Sequence, residues 1–149
     1  MNPIVPLNLP RTKLSITKTD EQLYVNCLIR KKAVLLSPEE WVRQHLIALF
    51  IDTLNYPKGL ISVEKQIKYG SLDKRWDVAV FRNNQECFLL LECKAPNIKL
   101  SKSVLEQSLV YYKKLQADYL VMSNGINHII LKKDTSDLGF EQINTIPEY

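Results

Sequence analysis

The sequence predicts an α/β (α+β) domain built on a mixed β-sheet with two helices, and three observations carry that expectation. Strand-like and helix-like segments succeed one another in the order β-β-α-β-β-β-α-β-β. Hydrophobic residues make up 46% and charged residues 24% of the chain, the composition of a polypeptide that folds around a core. The length, 149 residues, suits one core and is too short for two, so residues 1–149 read as a single domain.

Residues 1 to about 12 carry Pro3, Pro6 and Pro10 and read as an irregular lead-in. From Leu14 to Leu36 the pattern predicts two strands. The first is the alternating KLSITKT, a turn follows at Asp20-Glu21-Gln22, and LYVNCLIRKKAVLL, rich in β-branched and aromatic residues, is the second. Ser37-Pro38-Glu39-Glu40 then opens a helix. Ser37 suits the N-cap, Pro38 the first helical position, and Glu40 falls at the spacing of a capping box. The helix runs through EEWVRQHLIALFIDTL and stops near Asn55-Tyr56-Pro57, where proline cannot continue it. LISVEKQIKYG and RWDVAVFRN follow as strands joined at Gly70-Ser71-Leu72-Asp73. After a turn at Asn83-Asn84 comes ECFLLLECKA, ended by Pro96. A second helix is expected from about Lys102 to Gln116, then YLVMSN, a hairpin turn at Asn124-Gly125, and HIILKK. The tail, residues 134–149, carries too little periodicity to assign.

Several function classes drop out. No apolar run approaches the roughly 18 residues of a membrane span, and the first residues lack the basic and apolar regions of a secretory signal. Cys27, Cys87 and Cys93 form no CxxC pair, which fits reduced thiols in a cytoplasm rather than a disulfide framework or zinc site. His45 and His128 have no partner at metal-ligand spacing. No glycine-rich phosphate loop occurs, and Ser37, Ser101 and Ser123 lack a catalytic-triad context. The net charge of +4 decides little by itself. Its distribution says more: Lys58 to Arg75 holds five basic and two acidic residues, and Lys94 to Lys114 five basic and one acidic. Such stretches are usually solvated faces and matter only where they border a site.

The informative stretch is Arg75 to Pro96. Strand alternation places Trp76, Val78 and Val80 on one face and Asp77, Ala79 and Phe81 on the other. In FLLLECKAP, Leu90, Glu92 and Lys94 share a face opposite Leu89, Leu91 and Cys93. An acid and a base at the end of an otherwise apolar strand are costly to bury without purpose. If the two strands pair, Asp77, Glu92 and Lys94 meet at one end of the sheet. Two carboxylates can hold a hard divalent cation such as Mg²⁺, which activates water, and a neighbouring lysine can orient that water or steady an anionic transition state. From spacing alone the same residues also read as a strand-end Asp and a surface Glu–Lys pair.

Five segments taken together decide between these. SPEEWVRQHLI opening a helix, RWDVAVF, LLLECKAP, EQSLVYY and YLVMSNG stand in one order over roughly Arg30 to Lys132. In them the sequence resembles the PD-(D/E)xK nuclease superfamily, and within it the N-terminal nuclease domain of type I restriction enzyme R subunits. The resemblance implies a restriction-endonuclease-like αβββαβ core, which the order of elements from Glu39 to Met122 reproduces, with an added N-terminal β-hairpin and a C-terminal hairpin. It also implies a Mg²⁺- or Mn²⁺-dependent endonuclease acting on DNA phosphodiester bonds. The alternative is a nuclease-fold module that binds DNA or assembles with partners and turns over little.

The resemblance assigns roles residue by residue. Asp77 and Glu92 become metal ligands, with the carbonyl of Cys93 as a further one, although Trp76 stands where the superfamily's name has proline. Lys94 becomes the lysine that orients water or contacts phosphate. The first helix supplies a further acid, Glu39 or Glu40. Glu39 is preferred because its i, i+4 spacing to Arg43 matches the family's helix start, which leaves Glu40 to the capping box. Gln107 and Tyr111 match a QxxxY element on the second helix and would hold DNA or steady the lysine. The other reading packs Tyr111 into the core with Val104 and Leu115. Lys74, Arg75, Lys99 and Lys102 would flank the cleft as DNA contacts. Type I R subunits carry an ATP-driven motor after this region. No motor motif precedes Tyr149, which leaves open a stand-alone relative, a fragment, or a small protein that takes a motor or specificity subunit from another chain; a homo-oligomer is open as well.

Overall fold

The structure, a computed structural model, describes residues 2–103, 105, 116–134 and 139–149. Two sheets form. The first is three-stranded and antiparallel: β1 (Ile16–Thr19), β2 (Gln22–Asn26) and β3 (Ala33–Leu35). Asp20 and Glu21 both take positive φ, 49° and 69°, the backbone of a two-residue hairpin turn whose twist matches the strands. Where the sequence suggested one long second strand, the chain breaks between β2 and β3. Cys27 N–H donates to the Lys32 carbonyl and Lys31 N–H to the Cys27 carbonyl, with Lys31 at φ 53°. The Cys27 sulfur accepts from both the backbone N–H and Nε of Arg30, and that coils the segment out of strand geometry.

Helix α1 (Pro38–Ala48) starts where the capping signals put it. The Ser37 hydroxyl accepts from Glu40 N–H at 3.0 Å, and Pro38 sits in the first turn. It passes into a π-helical turn, Leu49–Thr53, and a short 3₁₀ turn, Lys58–Leu60, leads into the main sheet. That sheet holds β4 (Ile61–Tyr69), β5 (Leu72–Phe81), β6 (Cys87–Cys93), β7 (Tyr119–Ser123), β8 (His128–Lys133) and β9 (Phe140–Ile143), side by side in chain order. Every neighbouring pair is antiparallel except β6 and β7. The β4–β5 turn is shorter than expected, because Leu72 and Asp73 already belong to the ladder. β9 lies in the tail that carried no periodic signal; it earns its place by pairing Ile143 with Ile130 at the sheet's edge. Of the expected second helix, Lys102, Ser103 and Leu105 are helical; Val104 and residues 106–115 lie outside the described residues.

β6 is buried along both faces, which is why its sequence is an unbroken apolar run instead of an alternating one. On one face, Val42, Leu46, Ile47 and Phe50 pack against Val78, Val80, Leu89, Leu91 and Val121. On the other, Leu105 and Ala117 cover Ala79, Leu90, Leu120 and Met122. Trp76 belongs to this second cluster, not with Val78 and Val80 as simple alternation required. The cause is local. Glu64, across from Asp77 between the paired residues Val63–Val78 and Lys65–Trp76, takes φ 56°; the Glu64–Asp77 pair drops out of the ladder and the alternation of side chains is interrupted there, with the register unchanged on either side. Asp77 is turned toward α1 in consequence.

The lead-in is irregular as expected, but it is fastened. Asn8 N–H donates to the Gly125 carbonyl and the Trp41 indole to the Val5 carbonyl. At Gly125 φ is 84°, and an added Cβ would lie 2.7 Å from a Leu7 methyl and 3.1 Å from a Val42 methyl. Gly125→Ala therefore has to lower the unfolding free energy by about 1–2 kcal/mol from the left-handed backbone alone, with a further loss as Leu7 is displaced. Urea unfolding of the two proteins measures it, and an unchanged midpoint would contradict the close approach.

Candidate functional site

The polar residues that the sequence singled out gather where β6 ends against the middle of β5, beneath the first turn of α1. Cys93 N–H donates to Asp77 Oδ2 at 2.7 Å, which ties the two strands at the site itself. Arg43 Nη1 of α1 faces Asp77 Oδ1 at 3.4 Å. Lys94 Nζ lies 3.9 Å from Glu92 Oε1, and the Lys94 backbone is held by its N–H to the Ser123 carbonyl at 2.8 Å. Glu39 is exposed at the start of α1 and, with Lys94, lines a cavity of about 460 Å³ whose other walls are Ala95, Ile98, Lys99, Leu100, Ser101 and Met122. The charges of Glu39 and Glu92 both act on Asp77. Asp77, Glu92, Lys94 and Glu39 thus share one end of the sheet.

Glu40 behaves otherwise than its capping-box position suggested. Its backbone N–H completes the cap, but its carboxylate turns inward. Arg43 donates to it through Nε at 2.9 Å and Nη2 at 2.5 Å, Gln44 Nε2 donates at 3.0 Å, and Arg30 Nη2 stands 3.5 Å away. The side chain is 5% exposed. Burial opposes its charge, but the hydrogen bonds from Arg43 and Gln44 outweigh that and hold the carboxyl below its ordinary range. The i, i+4 pairing of Glu39 with Arg43 gives way to this i, i+3 pair. Glu64 closes the network, 2.9 Å from Arg30 and 3.6 Å from Arg43.

Arg30 and Glu64 carried no signal that set them apart. Arg43 and Gln44 did stand three and four residues after Glu40, the spacings at which side chains meet on a helix. Asn124 was legible only as a turn residue. Its Oδ1 accepts from Ile126 and Asn127 N–H, while its Nδ2 donates to the Ile98 carbonyl at 2.8 Å, so it brackets the loop after Lys94 to the β7–β8 turn. Arg75 is exposed on β5, Lys99 is exposed at the cavity, and Lys102 is exposed where the helical residues begin. Lys74 is placed by its backbone register alone, opposite Ile67. Gln107 and Tyr111 lie outside the described residues. Cys93 is buried and its thiol pushed well up by that burial, so it stays protonated and is no nucleophile.

A mixed sheet with charged residues converging at the end of a buried strand defines an α+β domain with a polar cleft at one sheet end. Residues 38–147 match the family model described as the type I restriction enzyme R protein N terminus (HSDR_N). The chain belongs to that family. No curated protein matches it. Among the described residues, no helix is long and apolar enough to cross a membrane.

The two helix acids separate experimentally. Glu40→Gln leaves Arg43 and Arg30 short of a buried counter-charge and is expected to cost about 3–5 kcal/mol. Glu39→Gln, on an exposed side chain, is expected to change stability by no more than about 0.5 kcal/mol. Equal losses in chemical denaturation would contradict the inward placement of Glu40.

Asp77 yields a pH signature. Its side chain is 19% exposed, and burial pushes its carboxyl up to about 6, against the hydrogen bond from Cys93 and the charge of Arg43. The folded protein therefore holds a proton between about pH 4 and 6 that the unfolded chain has released, so Asp77's contribution to stability falls as pH rises through that window. Asp77→Asn is expected to raise the unfolding free energy at pH 8 by about 1–3 kcal/mol and to change it little near pH 4. Denaturation curves at the two pH values decide it; a loss of stability at pH 8 would contradict the assignment.

Proposed function

We propose that the chain is a Mg²⁺- or Mn²⁺-dependent DNA endonuclease domain of the PD-(D/E)xK type, hydrolysing phosphodiester bonds within a restriction system. One observation carries the reading: in a member of the R-protein N-terminus family, Asp77, Glu92 and Lys94 come together with Glu39 beside an open cavity. The donor chemistry fits a hard cation. Mg²⁺ keeps several waters and is often held through one or two carboxylates. Among the described residues no three His, Cys, Asp or Glu side chains gather as a ligand set, so the carboxylates offered to an ion are the two of Asp77 and Glu92. Charge supports it too. Five carboxylates (Glu39, Glu40, Glu64, Asp77 and Glu92) stand against four cations (Arg30, Arg43, Lys94 and Lys99), an excess of one negative charge.

In this reading Asp77 and Glu92 hold the cation, with the Cys93 carbonyl as a further donor. The bound ion would lower the pKa of a coordinated water and offset charge developing on the phosphate. The chain's own groups do the rest. Cys93 N–H and Arg43 hold one oxygen of Asp77 each and so fix its rotamer, and each oxygen retains a lone pair for a cation. Lys94, half-buried beside Glu92, positions the attacking water or a phosphate oxygen. Glu39 at the cavity mouth holds a second water. Lys74, Arg75, Lys99 and Lys102 contact phosphates, as do Gln107 and Tyr111 if the second helix flanks the cleft. A motor or specificity subunit on another chain would deliver the DNA.

A second reading rests on Asp77 itself. Both of its oxygens already have protein partners, as in a nuclease fold kept for DNA binding or assembly. Purified protein offered single-stranded, duplex and branched DNA with Mg²⁺ or Mn²⁺ separates the two. Cleavage is expected, falling at least about 100-fold in Lys94→Ala and Asp77→Ala while DNA is still bound. Binding that weakens steeply with salt but never leads to cleavage supports the second reading. No binding at low salt defeats both.

A further inference from the structure

We propose that the cavity beside Glu39 and Lys94 is a nucleobase pocket, which takes one unpaired base of the DNA strand next to the attacked phosphate. The proposal deepens the nuclease reading and rests on it for the identity of the ligand. The cavity, about 460 Å³, falls in the roughly 300–1,000 Å³ range of sites that take small organic ligands. Its surfaces are divided by chemistry. Ile98, Leu100 and Met122 supply an apolar wall, whereas Glu39, Lys94 and Lys99 supply charge. A nucleotide has that division: a flat, poorly hydrated ring joined to an anionic backbone. With the ring against the apolar wall, the phosphates on either side lie toward Lys94 and Lys99, and the Glu39 carboxylate can accept from a base amino group.

The pocket is also held open before any ligand arrives. Lys94 N–H is bonded to the Ser123 carbonyl, Ile98 N–H to the Ala95 carbonyl at 3.0 Å, and the Ile98 carbonyl to the Asn124 amide. Asn124 is 3% exposed, so this bracket lies inside the protein, away from competing water. Ile98 meanwhile leaves 46% of its surface in solvent, although its backbone is anchored at both polar atoms. An anchored apolar side chain at the mouth of a charged cleft is what a base would stack against. A base in a duplex cannot reach the pocket without unpairing, so single-stranded, flapped or distorted DNA is the preferred substrate class.

The test uses the full chain and synthetic oligonucleotides in which a single abasic site is walked along the strand. Binding is read by fluorescence anisotropy without metal, and cleavage with Mg²⁺. The expected result is tighter binding of single-stranded than duplex DNA, and one abasic position that weakens binding about tenfold. Leu100→Trp, which fills the pocket, and Ile98→Ala, a half-exposed truncation that leaves the core untouched, should each erase that position's effect. Cleavage with no sensitive position overturns the pocket and leaves the nuclease reading standing. A sensitive position in binding without any cleavage upholds the pocket and removes the enzyme. A sensitive position that persists unchanged in both variants places the base elsewhere and overturns the proposal.

Discussion

The carboxylate of Glu40 is buried at the junction of α1, the β2–β3 turn and β4. A lone charge there would be too expensive to keep. It is kept because Arg43 grips both its oxygens, Gln44 adds a third donor, and Arg30 stands close by. Each of those partners has a second task. Arg43 reaches Asp77, Gln44 Oε1 accepts from Leu28 N–H, and Arg30 joins the Cys27 sulfur to Glu64. One buried ion pair thus joins the small sheet, the helix and the main sheet. The orientation of α1 over β5 and β6 depends on it, because the apolar contacts behind it are not directional.

The same network accounts for the interrupted alternation at Asp77. Regular alternation would send Asp77 to the face covered by Leu105 and Ala117, away from Arg43. Glu64 at positive φ carries a cost of order 1 kcal/mol for a residue with a side chain, and it persists because the arginines on α1 and the β2–β3 turn claim its carboxylate. Trp76, just before the interruption, packs with Ala79 and Leu90. A local backbone strain and a long-range ion network support one another, and the result is a carboxylate in the middle of β5 that faces the helix.

This explains what could be read in advance. The cap at Ser37, the buried character of β6 and the closeness of Lys94 to Glu92 follow from capping chemistry, an unbroken apolar run and i, i+2 spacing, all of which are local. The role of Glu40 did not follow, because its capping-box position and its ion pair are equally compatible with the local sequence; only the approach of Arg30, ten residues upstream and on another element, settles it. The interrupted alternation at Asp77 was missed for the same reason, since it depends on Arg43 and Glu64, distant in sequence, and the break at Cys27 because its bonds to Arg30, Lys31 and Lys32 leave no mark on the strand-like composition. β9 was missed because an edge strand gains its order from the strand it joins, and Ile143 alone carries no period.

The position of the cleft is a consequence of topology more than of any residue in it. Hairpin-connected strands close both ends of a sheet with short turns, whereas β6 and β7 run parallel, and a parallel pair needs a long crossover. The chain leaves β6 at Lys94 and does not return until Tyr119, so the carboxyl end of β6 is where the sheet has no turn to cap it. Ligands gather at such ends in open α/β sheets for that reason. Because β6 is buried on both faces, Glu92 and Lys94 have no other place on the strand where charge could meet solvent. Topology leaves the opening, burial confines the charges to it, and the acids and lysine placed there determine the chemistry it can host.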